Sequence, residues 1–151
     1  MIKKLSALLV LVAVAMNAFS VEVTQAKARS TFALAKTGAV YLTLSNPSDA
    51  DVSLMSVSVT DKVAQEAQIH TTVMADDMLR MQELKSGLVI ASGSTLEMAP
   101  GKEHIMLLGL TGPLEKGQTV TLTLHFSDDT NQEVTANIVD MKDGGHHHHH
   151  H

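Results

Sequence analysis

Between residues 40 and 139, apolar and polar residues alternate in short runs, each closed by turn-forming residues. A period of two marks a strand with one buried face, because successive side chains leave a pleated strand on opposite sides. Val40, Leu42 and Leu44 alternate with Tyr41 and Thr43 until Asn46-Pro47-Ser48-Asp49 ends the run, giving a half-buried strand and then a turn. In the next run, Val52 to Val59, the apolar phase changes between Leu54 and Met55, which predicts a bulge or a twist there. Val63, Ala67 and Ile69 belong to a strand expected to end at His70. Leu88 to Ile90, Thr95 to Met98, His104 to Leu110, Thr119 to Phe126 and Glu133 to Val139 supply further strands, with Pro100-Gly101, Gly112-Pro113 and Asp128-Asp129 as punctuation. Short strands at this spacing predict an all-β fold, a β-sandwich.

Both ends of the sequence stand apart from that pattern. Lys3 and Lys4 precede an apolar run from Leu5 to Met16, and Ala18-Phe19-Ser20 places small residues where a signal peptidase would cut, so residues 1–20 read as a secretory signal peptide. The run is shorter than the roughly 20 residues that span a bilayer, and no stop-transfer segment follows, so membrane insertion is not expected. Gly144-Gly145 and the histidines 146–151 look like a linker and an expression tag. Residues 21–143 then form the working domain. Without Lys3 and Lys4, nine basic residues face 16 acidic ones, a net charge of −7, which disfavours nucleic acid as a partner. An acidic surface without a long apolar run favours a monomer. The chain has no cysteine, so its core must hold the fold without disulfides.

Within the domain, His104-Ile105-Met106 carries the most chemical information. Residues two apart on a strand share a face, so His104 and Met106 can present an imidazole nitrogen and a thioether sulfur to one point. Thioether sulfur is a soft, neutral donor that suits copper(I) and holds zinc, magnesium or calcium poorly. His70 and Met81 extend the same donor chemistry upstream. The lack of cysteine excludes a blue-copper electron-transfer centre, which needs a thiolate. Met74, Met78 and Met81 stand four and three residues apart. That helical spacing favours a core face for Met74 and Met78. The segment is short, however, and Asp76-Asp77 in its middle is equally compatible with a loop or hairpin that returns Met81 toward His70. His125 alternates with Leu124 and Phe126 and reads as a solvated strand histidine.

These residues resemble a known family. Ala39-Val40-Tyr41-Leu42-Thr43-Leu44 through Asn46, then His70, Met81, the Ala99-Pro100-Gly101 turn and His104-Ile105-Met106-Leu107-Leu108-Gly109-Leu110 are similar to the periplasmic copper chaperones called PCu(A)C. In that family a His, a Met ten residues later and a His-x-Met about twenty-one residues beyond form the signature; here ten residues, Thr71 to Arg80, and then 22, Gln82 to Glu103, separate them. The resemblance implies a cupredoxin-like Greek-key β-sandwich, not an enzyme, that binds copper(I) through His70, Met81, His104 and Met106 in the periplasm. It also implies transfer of copper to periplasmic or membrane-exposed acceptors, such as the copper centre of cytochrome c oxidase or another chaperone. Some members carry a His/Met-rich C-terminal tail, whereas residues 137–143 offer only Met141. The competing expectation is an exported β-sandwich binding module in which these side chains have no metal role. A copper enzyme is disfavoured, because no third histidine or carboxylate accompanies the motif.

Overall fold

The computed structural model describes residues 21–141; the expected signal peptide and the terminal glycine-histidine segment lie outside the described residues. Ten strands make up the fold: β1 (Glu22–Arg29), β2 (Thr37–Ser45), β3 (Val52–Val59), β4 (Ala64–Ala75), β5 (Met78–Glu83), β6 (Leu88–Ile90), β7 (Thr95–Glu97), β8 (His104–Leu110), β9 (Thr119–Phe126) and β10 (Asn131–Val139). Their hydrogen-bonded order is β5-β4-β8-β2-β1-β10-β9-β3-β6, and β7 joins β2 beyond the start of β8. Chain neighbours such as β2 and β3 therefore sit far apart along the path. The path folds back on itself, so that β3 lies against β4 without pairing with it. This is the expected all-β sandwich.

The alternation read from the sequence is what drives the folding back. In β9, Val120, Leu122, Leu124 and Phe126 are buried while Thr119 and Thr121 are exposed. Ile69, Val40, Leu42, Leu44, Ile105 and Leu107 from one half meet Leu54, Val57, Val134, Ala136 and Ile138 from the other in a single core. Burying each large aliphatic side chain contributes about 1.5–3 kcal/mol. The phase change in β3 is a register shift between Leu54 and Ser56 against β9. It rotates the strand so that Leu54 and Val57 both reach the core. His125 sits on the outer side as expected, its ring held by Ser58 Oγ at 2.6 Å and Asn131 Oδ1 at 2.9 Å.

One strand, β1, went unread in the sequence, and β5 is the returning arm of the hairpin that the sequence held as plausible as a helix across Asp76-Asp77. In β1, Gln25 takes a φ of 49° and the register against β2 slips between Thr24 and Lys27, so its side chains keep no simple period. The expected end of β4 at His70 is also corrected. The strand runs on to Ala75, turns through Asp76 and Asp77 at φ 52° and 62°, and returns as β5. Two consecutive residues with positive φ make the two-residue turn that matches the twist of a hairpin, and aspartate tolerates that conformation.

Asn46 staples the crossing between the two halves. Its side chain is fully buried, donates to the carbonyls of Ala50 (2.8 Å) and Ile90 (2.9 Å), and accepts from the Ser48 amide and hydroxyl. Asn46→Ala would remove the buried bond to the Ile90 carbonyl, at about 1–3 kcal/mol for the lost partner, while the Ala50 carbonyl keeps the Ser48 hydroxyl. Urea unfolding should show a loss of about 1–3 kcal/mol with an unchanged slope. A loss below about 0.5 kcal/mol would mean that water replaces the side chain.

Candidate metal centre

The β4–β8 register places Gln68 opposite Met106, Ile69 opposite Ile105 and His70 opposite His104. Directly opposed residues share a face, and faces alternate along a strand. Ile69, Ile105 and Leu107 therefore turn into the core, and His70, His104 and Met106 turn together to the other side. The hairpin register sets Met81 opposite Thr72 and Glu83 opposite His70, which puts Met81 on that same face, diagonal to His70. All four residues singled out in the sequence thus share one face of three adjacent strands. His70 stands at the centre, with Met106 and Met81 on opposite sides.

The two histidines are close, their ring centroids 5.6 Å apart and their planes tilted by 46°. His104 is only 3% exposed although it faces away from the core, and Tyr41 lies beside it with ring centroids 6.2 Å apart. Met106 is half-buried, whereas Met81 is 61% exposed.

Each imidazole has one nitrogen occupied and one left bare. His70 Nε2 lies 2.8 Å from Gln68 Oε1. The Gln68 amide nitrogen in turn donates to Glu66 Oε1. That second bond fixes the amide so that its oxygen faces the ring, making His70 Nε2 the protonated nitrogen. His104 Nδ1 has a longer contact, 3.4 Å, with the Lys102 carbonyl, which can only accept. The remaining nitrogens, His70 Nδ1 and His104 Nε2, are buried and have no hydrogen-bond partner among the described residues. A buried polar atom without a partner is costly. Here both orphans carry lone pairs, as metal-ligating nitrogens require. Gln68 and Lys102 play the part of the outer partners that hold a ligating histidine in one tautomer.

Electrostatics favour the same protonation state. Burial is the main cause that pushes the His104 pKa below its usual 6.5; the nearby His70 lowers it further, while the Lys102 carbonyl and Glu103 oppose the shift. The His104 ring can therefore meet a cation as a neutral donor near pH 7. Among the described residues, no three His, Cys, Asp or Glu side chains gather into a metal-binding group. The four residues singled out in the sequence offer two imidazoles and two thioethers, a soft and uncharged set, on a face that also carries Met74, Glu66 and Glu83.

The other methionines depart from the sequence reading. Met74 and Met78, expected as a core face on helical spacing, lie on the β4–β5 hairpin and are 67% and 59% exposed. The hairpin conformation replaces the period of 3.6 with one of two, so Met74 and Met81 share a face and Met78 takes the other. Met141 packs against the core. Gln68 and Tyr41 were missed as parts of the site. Their signal was present in the alternation, since Gln68 is two residues from His70, but which same-face neighbour touches the ring is set by side-chain packing.

Residues 21–138 match the family described as "Putative lipoprotein LpqE-like". The chain belongs to the LpqE-like family. One relative, "Putative lipoprotein Lxx21020" of Leifsonia xyli subsp. xyli, is 46% identical over 84 residues, 56% of this chain and 51% of that protein. The chain spans about half the length of the curated relatives it matches. Among solved structures, the copper-bound PCuAC domain from PmoF2 has the same fold at 16% identity, with a TM-score of 0.65 over 80% of this chain and 93% of that domain. The apo and Cu(I) solution structures of DR1885 from Deinococcus radiodurans are 30% and 26% identical, each with a TM-score of 0.62 over 85% of this chain and 84% and 82% of theirs. The LpqE-like chain therefore has the PCuAC-type fold that its sequence resembled.

Two outcomes check the site without any metal. Long-range nitrogen-proton NMR above neutral pH should find His70 protonated at Nε2 and His104 at Nδ1, and Gln68→Leu should abolish the His70 preference; opposite tautomers would contradict this geometry. The depressed pKa of His104 also has a definite sign. The unfolded state takes up the proton first, so this contribution to stability is complete above pH 6.5 and is lost as pH falls toward the lowered folded value. Urea midpoints should accordingly fall between roughly pH 7 and 5 more steeply in the parent than in His104→Leu. Equal slopes would place the titration elsewhere.

Proposed function

We propose that this protein carries copper(I) outside the cytoplasm, binding one ion through His70 Nδ1, His104 Nε2 and the thioethers of Met106 and Met81, and passing it to acceptor proteins. The observation that carries the reading is the pair of buried, unpartnered imidazole nitrogens on opposed residues of β4 and β8. The DR1885 and PmoF2 structures, whose names give Cu(I) and copper respectively, support copper as the cargo. The lipoprotein names of the family and of the Leifsonia relative support an exported location, and the lysine-plus-apolar leader in residues 1–20 agrees with the periplasm.

The donor set fits transport better than catalysis. Four neutral ligands leave the single charge of Cu(I) uncompensated, which disfavours the doubly charged ion and hard divalent cations. The sites differ in access. The buried ring nitrogens hold one side of the ion, while the exposed Met81 is the donor an incoming ligand can replace first. An acceptor thiolate or imidazole can then take the ion by stepwise ligand exchange, without a change of oxidation state. Candidate acceptors of that chemistry are the copper centre of an oxidase during its assembly and other copper chaperones.

A Cu(I) competition titration tests this reading, using the chain without histidines 146–151, which would bind metal themselves. The parent should take up one tight equivalent, and the folded His104→Ala/Met106→Ala variant should lose it. No tight equivalent in the parent would leave an exported β-sandwich binding module without a metal role.

A further inference from the structure

We propose that Met74 is a transient copper donor, a thioether station on the β4–β5 hairpin through which Cu(I) reaches and leaves Met81. The proposal rests on the copper-carrier reading and assigns a residue outside the four-ligand set. Met74 lies opposite Leu79, and Met81 lies opposite Thr72, so the two methionines are diagonal neighbours on the face that carries His70 and His104. Such diagonals span about 7–8 Å, within reach of long side chains. Paired backbone between β4 and β8 ends at His70 and His104, and the hairpin extends beyond that pair to Asp76 and Asp77. Along this extension Met74, Leu79 and Met81 are 67%, 68% and 61% exposed. Stability gains little from large apolar groups held in water. Two of the three carry a sulfur that binds Cu(I), and the register joins them to half-buried His70 and buried His104 in one line. Met78 has the same sulfur and similar exposure but faces the opposite side, opposite Ala75.

The step is a ligand exchange. A Cu–S bond to Met74 forms as a bond between copper and another donor breaks, and the ion stays Cu(I). No proton moves between the thioethers, because neither carries one.

The test compares the parent, Met74→Leu, Met78→Leu and Met81→Leu, all without histidines 146–151. Leucine keeps the volume and removes the sulfur. Stopped-flow mixing of the Cu(I)-loaded proteins with excess bicinchoninate reads the rate of release, and competition at equilibrium reads affinity. Met74→Leu should release copper about tenfold more slowly, equivalent to ~1.4 kcal/mol on the barrier, with affinity within about twofold of the parent. Met78→Leu should match the parent in both, and Met81→Leu should lose affinity. A Met74→Leu rate equal to that of the parent and Met78→Leu overturns the station. An affinity loss equal to that of Met81→Leu also overturns it, by making Met74 a resident ligand. A parent that binds no Cu(I) removes the carrier reading itself, an outcome seen before any variant is compared.

Discussion

The register between β4 and β8 holds both the core and the site in place. Ile69 opposite Ile105 and His70 opposite His104 are consecutive rungs of one ladder, so the rung that fills the core also fixes the rung that faces away from it. A slip of β4 by one residue would turn Ala67 and Ile69 out to solvent and drive Gln68 and His70 inward. The displaced Ile69 would forfeit about 1.5–3 kcal/mol of burial. Hydrophobic packing, which has no chemical interest in metals, thereby positions two imidazoles with their ring centroids 5.6 Å apart.

Desolvation then decides what those rings can do. His104 is buried on a face that points away from the core, and burial disfavours its charged form. The orphaned nitrogens His70 Nδ1 and His104 Nε2 carry an energetic cost in the folded protein. A soft cation between them would offset that cost, which gives a physical reason for a stable β-sandwich to keep unsatisfied groups at this spot. The thioethers on the hairpin, by contrast, are exposed to solvent.

Much of this was legible in the sequence, and the omissions have physical causes. β3, β6, β8 and β9 fall where the alternation put them, because each has one buried face and turn residues at its ends. β1 was invisible: its bulge at Gln25 breaks the period, and it is held by pairing with β2 and β10. β5 was legible only as one arm of a hairpin held open beside a helix, since Met78 to Gln82 are exposed on both faces and leave no burial pattern to decide between them. The same lack of pattern made Met74 and Met78 look like a helical core stripe, an expectation reversed by the Asp76-Asp77 turn. The shared face of His104 and Met106 followed from spacing alone. Which ring nitrogens are free could not, because Gln68 and the Lys102 carbonyl reach the rings only in the folded chain.

The most direct measurement of the central claim is X-ray absorption at the copper edge of the Cu(I)-loaded chain lacking histidines 146–151. The geometry predicts a shell of nitrogen and sulfur in about equal numbers, from two imidazoles and two thioethers. A shell of nitrogen or oxygen alone would contradict it, and the shared face of β8, β4 and β5 would then not be the place where this protein holds its metal.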